Sequence, residues 1–119
     1  MKPLLSIIVP SIRTENLHTV YSSILNATQV PFELIIVGPF GLDEKLFRSR
    51  NVKYFKDFGS PVRCSCIGAA LAEGQIIHFG CDDGIYLPSS IDISLNYLRN
   101  INNEKGIVSC RYFECNPFI

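Results

Sequence analysis

A chain of 119 residues has room for one hydrophobic core and one domain, not two. With 47% apolar and 18% charged residues it has the composition of a globular protein and not of a disordered one. Eleven basic residues offset eleven acidic ones, so no long-range field draws nucleic acid or an anionic membrane surface, and no apolar run is long enough for a membrane span.

The run Leu4 to Val9 stops at Pro10 and is followed by Ser11, Ile12 and Arg13. Its apolar residues alternate onto both faces, which fits a central strand of a parallel sheet better than a signal peptide. Leu17, Val20, Tyr21, Ile24 and Thr28 then recur at helical spacing, with Thr14 as the expected N-cap and Pro31 closing the segment. Glu33 to Val37 is a second buried-type strand ended by Gly38-Pro39. Asp43 to Arg48 predicts a short helix and Asn51 to Phe55 a third strand.

Ser60-Pro61 reads as an N-cap followed by proline at the first helical position, and Gly74 as the residue past the helix end. Val62, Cys66, Ala69 and Ala70 are the expected buried face. Gln75 to Phe79 is a fourth strand, leading into Gly80-Cys81-Asp82-Asp83-Gly84. Ser89 and Ser90 are placed to cap a helix with Ile91, Leu95, Leu98 and Ile101 on its apolar side, and Ile107 to Phe113 predicts a fifth strand. Strands and helices alternating in this way imply right-handed βαβ units. The fold class is therefore α/β, a Rossmann-like, mainly parallel sheet flanked by helices, in one domain over residues 1–119.

On such a sheet ligands bind at the carboxyl ends of the strands. The loops of interest are Pro10 to Arg13, Gly38 to Gly41 and Gly80 to Pro88. Asp82 and Asp83 are adjacent carboxylates directly after a strand, and their mutual repulsion is relieved by a cation or by hydrogen bonds. Hard oxygen ligands suit Mg²⁺ or Mn²⁺; a solvated acidic turn is the other reading. Arg13 is placed to meet a phosphate or to be a surface charge. Arg63, in the first turn of a helix, is placed either to clasp a diphosphate or to pair with Asp57. His78, alone in a strand, is expected to be packed and hydrogen-bonded.

The five cysteines, Cys64, Cys66, Cys81, Cys110 and Cys115, are an odd number set in apolar stretches, which reads as reduced thiols in a cytoplasmic protein. Cys64-x-Cys66 lacks the spacing common in zinc sites.

Taken together, four segments in register resemble the family 2 glycosyltransferases. Ser6-Ile7-Ile8-Val9-Pro10-Ser11-Ile12-Arg13-Thr14-Glu15-Asn16-Leu17 is similar to that family's "IIVPTxNR…L" opening. Phe32 to Val37 is similar to its "FEIIVVDDGS" strand, and Gly68 to Phe79 to "NxGxxxAxGxYIxFL". Gly80 to Pro88 resembles its "DxDD…LP" metal loop. The resemblance implies a GT-A fold that binds a nucleoside-diphosphate sugar through Mn²⁺ or Mg²⁺. It further implies transfer of the sugar, with inversion, to a glycan, lipid or protein acceptor. Asp83 best matches the metal-touching position, with Asp82 beside it. The resemblance implies Pro10, Ser11, Arg13, Gly38, Arg63 and Asp82 as the residues around the nucleotide sugar.

The chain departs from the pattern at several points. Gly38 and Pro39 stand where the family carries an aspartate that reads the base, and Cys66 stands at its asparagine. Cys81 and Gly84 replace the outer acids of the metal motif. The family's second half, with its acceptor site and general base, has no counterpart before Ile119, so a truncated donor-binding domain with an apolar sheet edge prone to self-association is expected. A non-catalytic nucleotide- or protein-binding module on the same fold is the alternative.

Overall fold

The computed structural model describes residues 2–112. The runs that are apolar on both faces become the two central strands: β1 (Leu5–Pro10) and β2 (Phe32–Gly38), the latter buried at every position. They are flanked by β3 (Val52–Lys56) and β4 (Ile76–Phe79) in one all-parallel sheet of order β3-β2-β1-β4. Ile8 of β1 lies opposite Ile35 on one side and Phe79 on the other.

Helices α1 (Leu17–Ala27), α2 (Glu44–Phe47), α3 (Pro61–Leu71) and α4 (Ser90–Ile101) complete the α/β arrangement. The main core forms on one face. Leu5, Ile7, Val9, Leu34 and Ile36 from the sheet meet Leu17, Val20 and Ile24 of α1, Leu46 of α2, and Ile91 and Leu95 of α4. Among the described residues the second face carries α3 alone, where Cys64 packs on Ile35 and Val37 with Ile67 and Ala72 beside them. A helix with its side chains is about 10 Å wide and strands lie about 4.8 Å apart, so one helix covers about two strands. α3 covers β1 and β2. On that face Phe55 of β3 and Ile77 and Phe79 of β4 stay exposed.

Several expectations need correction. α1 starts at Leu17 with Asn16 at the N-cap position; Thr14 instead offers its backbone carbonyl to Leu17 N–H. Ser89 holds the N-cap position of α4 but makes no capping bond with its side chain; Asp92 in the first turn instead accepts from Thr28 Oγ1 (2.5 Å) and Gln29 N–H (3.0 Å), tying α4 to the end of α1. The buried side of α3 is Cys64 and Gly68, while Val62 is 74% exposed and Cys66 is exposed. That stripe is made of small groups because the helix lies close to the sheet: a Cβ at Gly68 would come 2.4 Å from Ile8 Cγ2. Hydrophobicity alone marks the bulkier Val62 and misses the contact. Ile101 of α4 is likewise 47% exposed.

The segment expected as a fifth strand is irregular from Ile107 to Tyr112, with Ile107 87% exposed; Phe113 lies outside the described residues. Handedness disfavours one place for such a strand, the outer edge of β4 in parallel orientation. The steps β1 to β2 and β2 to β3 go outward with α1 and α2 on the first face, and β3 to β4 returns across the sheet with α3 on the second. All three share one hand, the right-handed one that βαβ units adopt. α4 packs on the first face with α1. A parallel strand added outside β4 after α4 would need the opposite hand.

Other expectations hold. The short helix expected over Asp43 to Arg48 is α2, and Ser60 caps α3 with Pro61 at its first position, as expected; the structure adds that Asp43 caps α2, accepting from Leu46 N–H. The four cysteines among the described residues, Cys64, Cys66, Cys81 and Cys110, are free. Among the described residues no helix is long and apolar enough to cross a membrane.

Candidate functional site

Because β1 and β4 are neighbours, the loops that follow them meet at the carboxyl rim of the sheet. Asp82 lies three residues past β4 and is 5% exposed. Its Oδ2 accepts two successive backbone N–H groups of the β1 loop, Ile12 at 3.1 Å and Arg13 at 2.9 Å. The Arg13 guanidinium turns back over the acidic pair. Its Nη2 lies 3.4 Å from Asp82 Oδ1 and 3.1 Å from Asp83 Oδ2. Arg13 and Asp83 are half-exposed, at 54% and 48% of their side-chain surface. The two carboxylates therefore differ in role: Asp82 braces the rim from within, and Asp83 faces solvent.

The rest of the loop is anchored as firmly. Tyr86 N–H donates to Ser23 Oγ of α1 (3.1 Å), and Ser89 N–H to the Asn26 carbonyl (3.0 Å). His78 Nε2 lies 2.6 Å from the Tyr86 hydroxyl with the rings edge to face, so His78 is packed and hydrogen-bonded as expected. Burial holds its pKa below the usual 6.5 and raises that of Tyr86. Because the folded value is the depressed one, the unfolded chain takes up a proton first as pH falls below about 6.5. Stability should thus decline from there down to the folded pKa of His78, below which this contribution is gone. His78→Phe should flatten that slope in thermal unfolding scans between pH 7 and 5, while losing about 1 kcal/mol with the hydrogen bond.

The other expected site residues fall as follows. Pro10 ends β1. Ser11 is 4% exposed, with its N–H on the Val37 carbonyl at 2.9 Å and its Oγ donating to the Arg13 carbonyl at 3.2 Å. Gly38 is a meeting point of backbones. Its carbonyl accepts from the Tyr54 hydroxyl (2.7 Å) and Asp57 N–H (3.1 Å), and its Cα faces the Ser11 carbonyl. Arg63 takes the second of its two readings: its Nε donates to Asp57 at 3.0 Å, away from the acidic pair.

Cys81 adds no thiolate to the site, since desolvation and the neighbouring Asp83 carboxylate push its pKa up. A cleft of about 320 Å³ opens elsewhere, at the amino end of the sheet, lined among others by Phe32, Glu33, Lys53 and Glu73. Its central charges are already paired, Lys53 Nζ lying 2.7 Å from Glu33 Oε2. At the rim an arginine and a half-exposed carboxylate share one edge, where α/β sheets take their ligands.

The chain matches no family model and no curated protein. Its site rests on geometry alone.

Among the described residues no three His, Cys, Asp or Glu side chains converge as a metal-binding set. Mg²⁺ and its analogues commonly use one or two carboxylates and take their other ligands from phosphates and water. Asp83 fits that role, having one oxygen on Arg13 and a half-exposed side chain. Asp82 fits it poorly, because Oδ2 already accepts two N–H groups. Nothing in the sequence signals the bond from Asp82 to the backbone of Ile12 and Arg13, which links positions 70 and 69 residues apart.

Proposed function

We propose that the carboxyl rim of this sheet binds the diphosphate of a nucleoside-diphosphate sugar, with Mn²⁺ or Mg²⁺ held on Asp83, as the donor-binding domain of a glycosyltransferase. The observation that carries the reading is the meeting of Asp82, Asp83 and Arg13 across the β1 and β4 loops, where α/β sheets take their ligands. In this reading Asp82 holds the loop in shape through Ile12 and Arg13 N–H, Asp83 supplies a hard oxygen ligand, and Arg13 meets a phosphate oxygen. A bound divalent cation would stabilise the negative charge that builds on a diphosphate leaving group. Transfer also needs a base for the acceptor hydroxyl, a glycan, lipid or protein group, so the proposal for this chain's own residues is confined to donor binding. Free cysteines support a cytoplasmic setting.

The test is thermal unfolding with Mn²⁺ and a panel of nucleoside-diphosphate sugars. A ligand at a hundred times its Kd adds about 2.7 kcal/mol of stability, which raises Tm by roughly ten degrees in a domain of this size. The rise should require both metal and nucleotide and should vanish in Asp83→Ala. No rise with any donor at millimolar concentration would overturn the reading. It would favour a non-catalytic binding module, a view that the absence of an acid at Gly38-Pro39 and the engagement of both aspartates by Arg13 already support.

A further inference from the structure

We propose that the side of the molecule formed by β4 and the outer flank of α4 is an interface with a second copy of this chain, the two sheets joining antiparallel, β4 against β4. The edge itself is the first observation. Ile76 N–H donates to the Leu4 carbonyl and Gly80 N–H to the Ile8 carbonyl. By the alternation of a parallel ladder, the N–H and C=O groups of Ile77 and Phe79 therefore point away from β1. Among the described residues no strand lies beyond them. The opposite edge is guarded by charge, since β3 carries Lys53 and Lys56. β4 reads Ile-Ile-His-Phe and has neither lysine nor proline to keep another strand away.

Helix α4 extends the same surface. Asp92 binds the end of α1, and Ile91 and Leu95 enter the core. Ile93, Tyr97 and Ile101, spaced four residues apart, therefore form a stripe on the flank turned from α1. The sheet order puts β4 on that side. The charged residues of α4, Asp92 and Arg99, lie two turns apart on the α1 flank and leave the stripe uncharged. The returning chain touches this flank where Cys110 Sγ lies 3.3 Å from Ser94 Oγ, yet all three stripe residues stay exposed.

Area and symmetry select the occupant. Ile77, Phe79 and the three stripe residues are between 43% and 65% exposed. A large side chain has about 200 Å² to bury, so these five leave roughly 500 Å² of apolar surface open on each copy. Interfaces are about 60% apolar, so the patch corresponds to roughly 800 Å² per partner, the size of a stable, specific interface. A two-fold axis through the sheet at His78 sets Ile77 opposite Phe79 of the second copy, and every outward N–H and C=O of the two residues then has a partner. The same axis turns the two uncharged α4 flanks towards each other on the first face. On the second face it gathers Ile77 and Phe79 of both copies into one apolar cluster. β3 against β3 would instead bring lysines together.

Sedimentation velocity between about 1 and 100 µM should show a closed dimer with a Kd in the micromolar range or below. Ile77→Lys, which charges the edge, should raise that Kd at least about tenfold, and Tyr97→Lys should do the same from the helix side. Phe55→Lys is the control: it lies on the same face but on β3, is 44% exposed, and should leave the Kd unchanged. Hydrogen exchange on the wild type covers the case in which a variant fails to fold. The Ile77 and Phe79 amides should exchange at least about tenfold more slowly at the higher concentration. A protein monomeric at about 100 µM overturns the proposal. If those amides are protected in the monomer, the chain beyond Tyr112 covers the edge instead. A dimer that Ile77→Lys and Tyr97→Lys leave intact overturns it as well, since the contact then lies elsewhere.

Discussion

Gly38→Ala should destabilise this protein by roughly 3 kcal/mol or more, the upper range for overpacking a site that cannot move aside. An added Cβ would lie 1.8 Å from the Ser11 carbonyl oxygen and 2.9 Å from its carbon. Neither backbone can retreat cheaply. Ser11 N–H is bonded to the Val37 carbonyl at 2.9 Å, and the Gly38 carbonyl holds Tyr54 and Asp57 from the neighbouring strand and loop. The φ angle of Gly38 is not in the left-handed region, so the requirement is close approach and not backbone conformation. Gly41→Ala is the control, since nothing stands within 4 Å of its Cβ position, and it should change stability by less than about 0.5 kcal/mol. Urea midpoints of the two variants would check the contrast. Because Ser11 begins the β1 loop, any Gly38→Ala protein that still folds should also lose the hydrogen bond from Ser11 N–H to the Val37 carbonyl and with it the shape of that loop.

Glu33→Ala should cost about 2 to 4 kcal/mol, for a different reason. Glu33 is a charged residue in a central strand, 3% exposed. Its Oε1 accepts from Ser6 Oγ at 2.6 Å and from Glu73 N–H at 2.7 Å, and its Oε2 lies 2.7 Å from Lys53 Nζ. Ser6 Oγ in turn accepts from Gly74 N–H at 2.8 Å, so one carboxylate organises the turn from α3 into β4. Truncation leaves the Ser6 hydroxyl and the Glu73 N–H without their acceptor. The Lys53 bond is worth less than its length suggests, because that lysine is 43% exposed and screened by solvent. Glu33→Gln keeps the shape and one acceptor oxygen and should cost less than Glu33→Ala.

The same residue sets an acid limit. Burial pushes the Glu33 pKa up, but the bonds from Glu73 N–H, Lys53 and Ser6 outweigh it and hold the carboxyl below its ordinary 4.5. A depressed folded value means that the contribution is complete above about 4.5 and is lost as pH falls through the folded pKa. Urea unfolding at pH 7 and at steps below pH 4.5 should show the wild type weakening with acid and Glu33→Gln weakening less.

What could be read from the sequence and what could not divide along physical lines. β1, β2 and the cap of α3 were legible, because uninterrupted apolar runs and the Ser60-Pro61 signal act locally. The buried stripe of α3 was not, since Cys64 and Gly68 are chosen for smallness and their neighbour Ile8 is distant in the chain. Asp82 and Asp83 stood out as a pair, yet their different surroundings depend on the β1 loop folding over one of them. Glu33 passed as one member of a strand, and its partners Ser6, Lys53 and Glu73 come together only through sheet register and the end of α3.

The position of α4 has a consequence for anyone wishing to lengthen this sheet. β4 offers its outer edge between the half-bare side chains of Ile77 and Phe79. A peptide meant to cap that edge through a short tether from α4 would be best drawn in reverse orientation, entering from the rim and running down. A forward-running one would need a second helix on the α3 side to reach its place. Growth past β4 is thus a matter of turning the chain around, which makes a tethered hairpin, and not another helix-and-strand repeat, the natural graft.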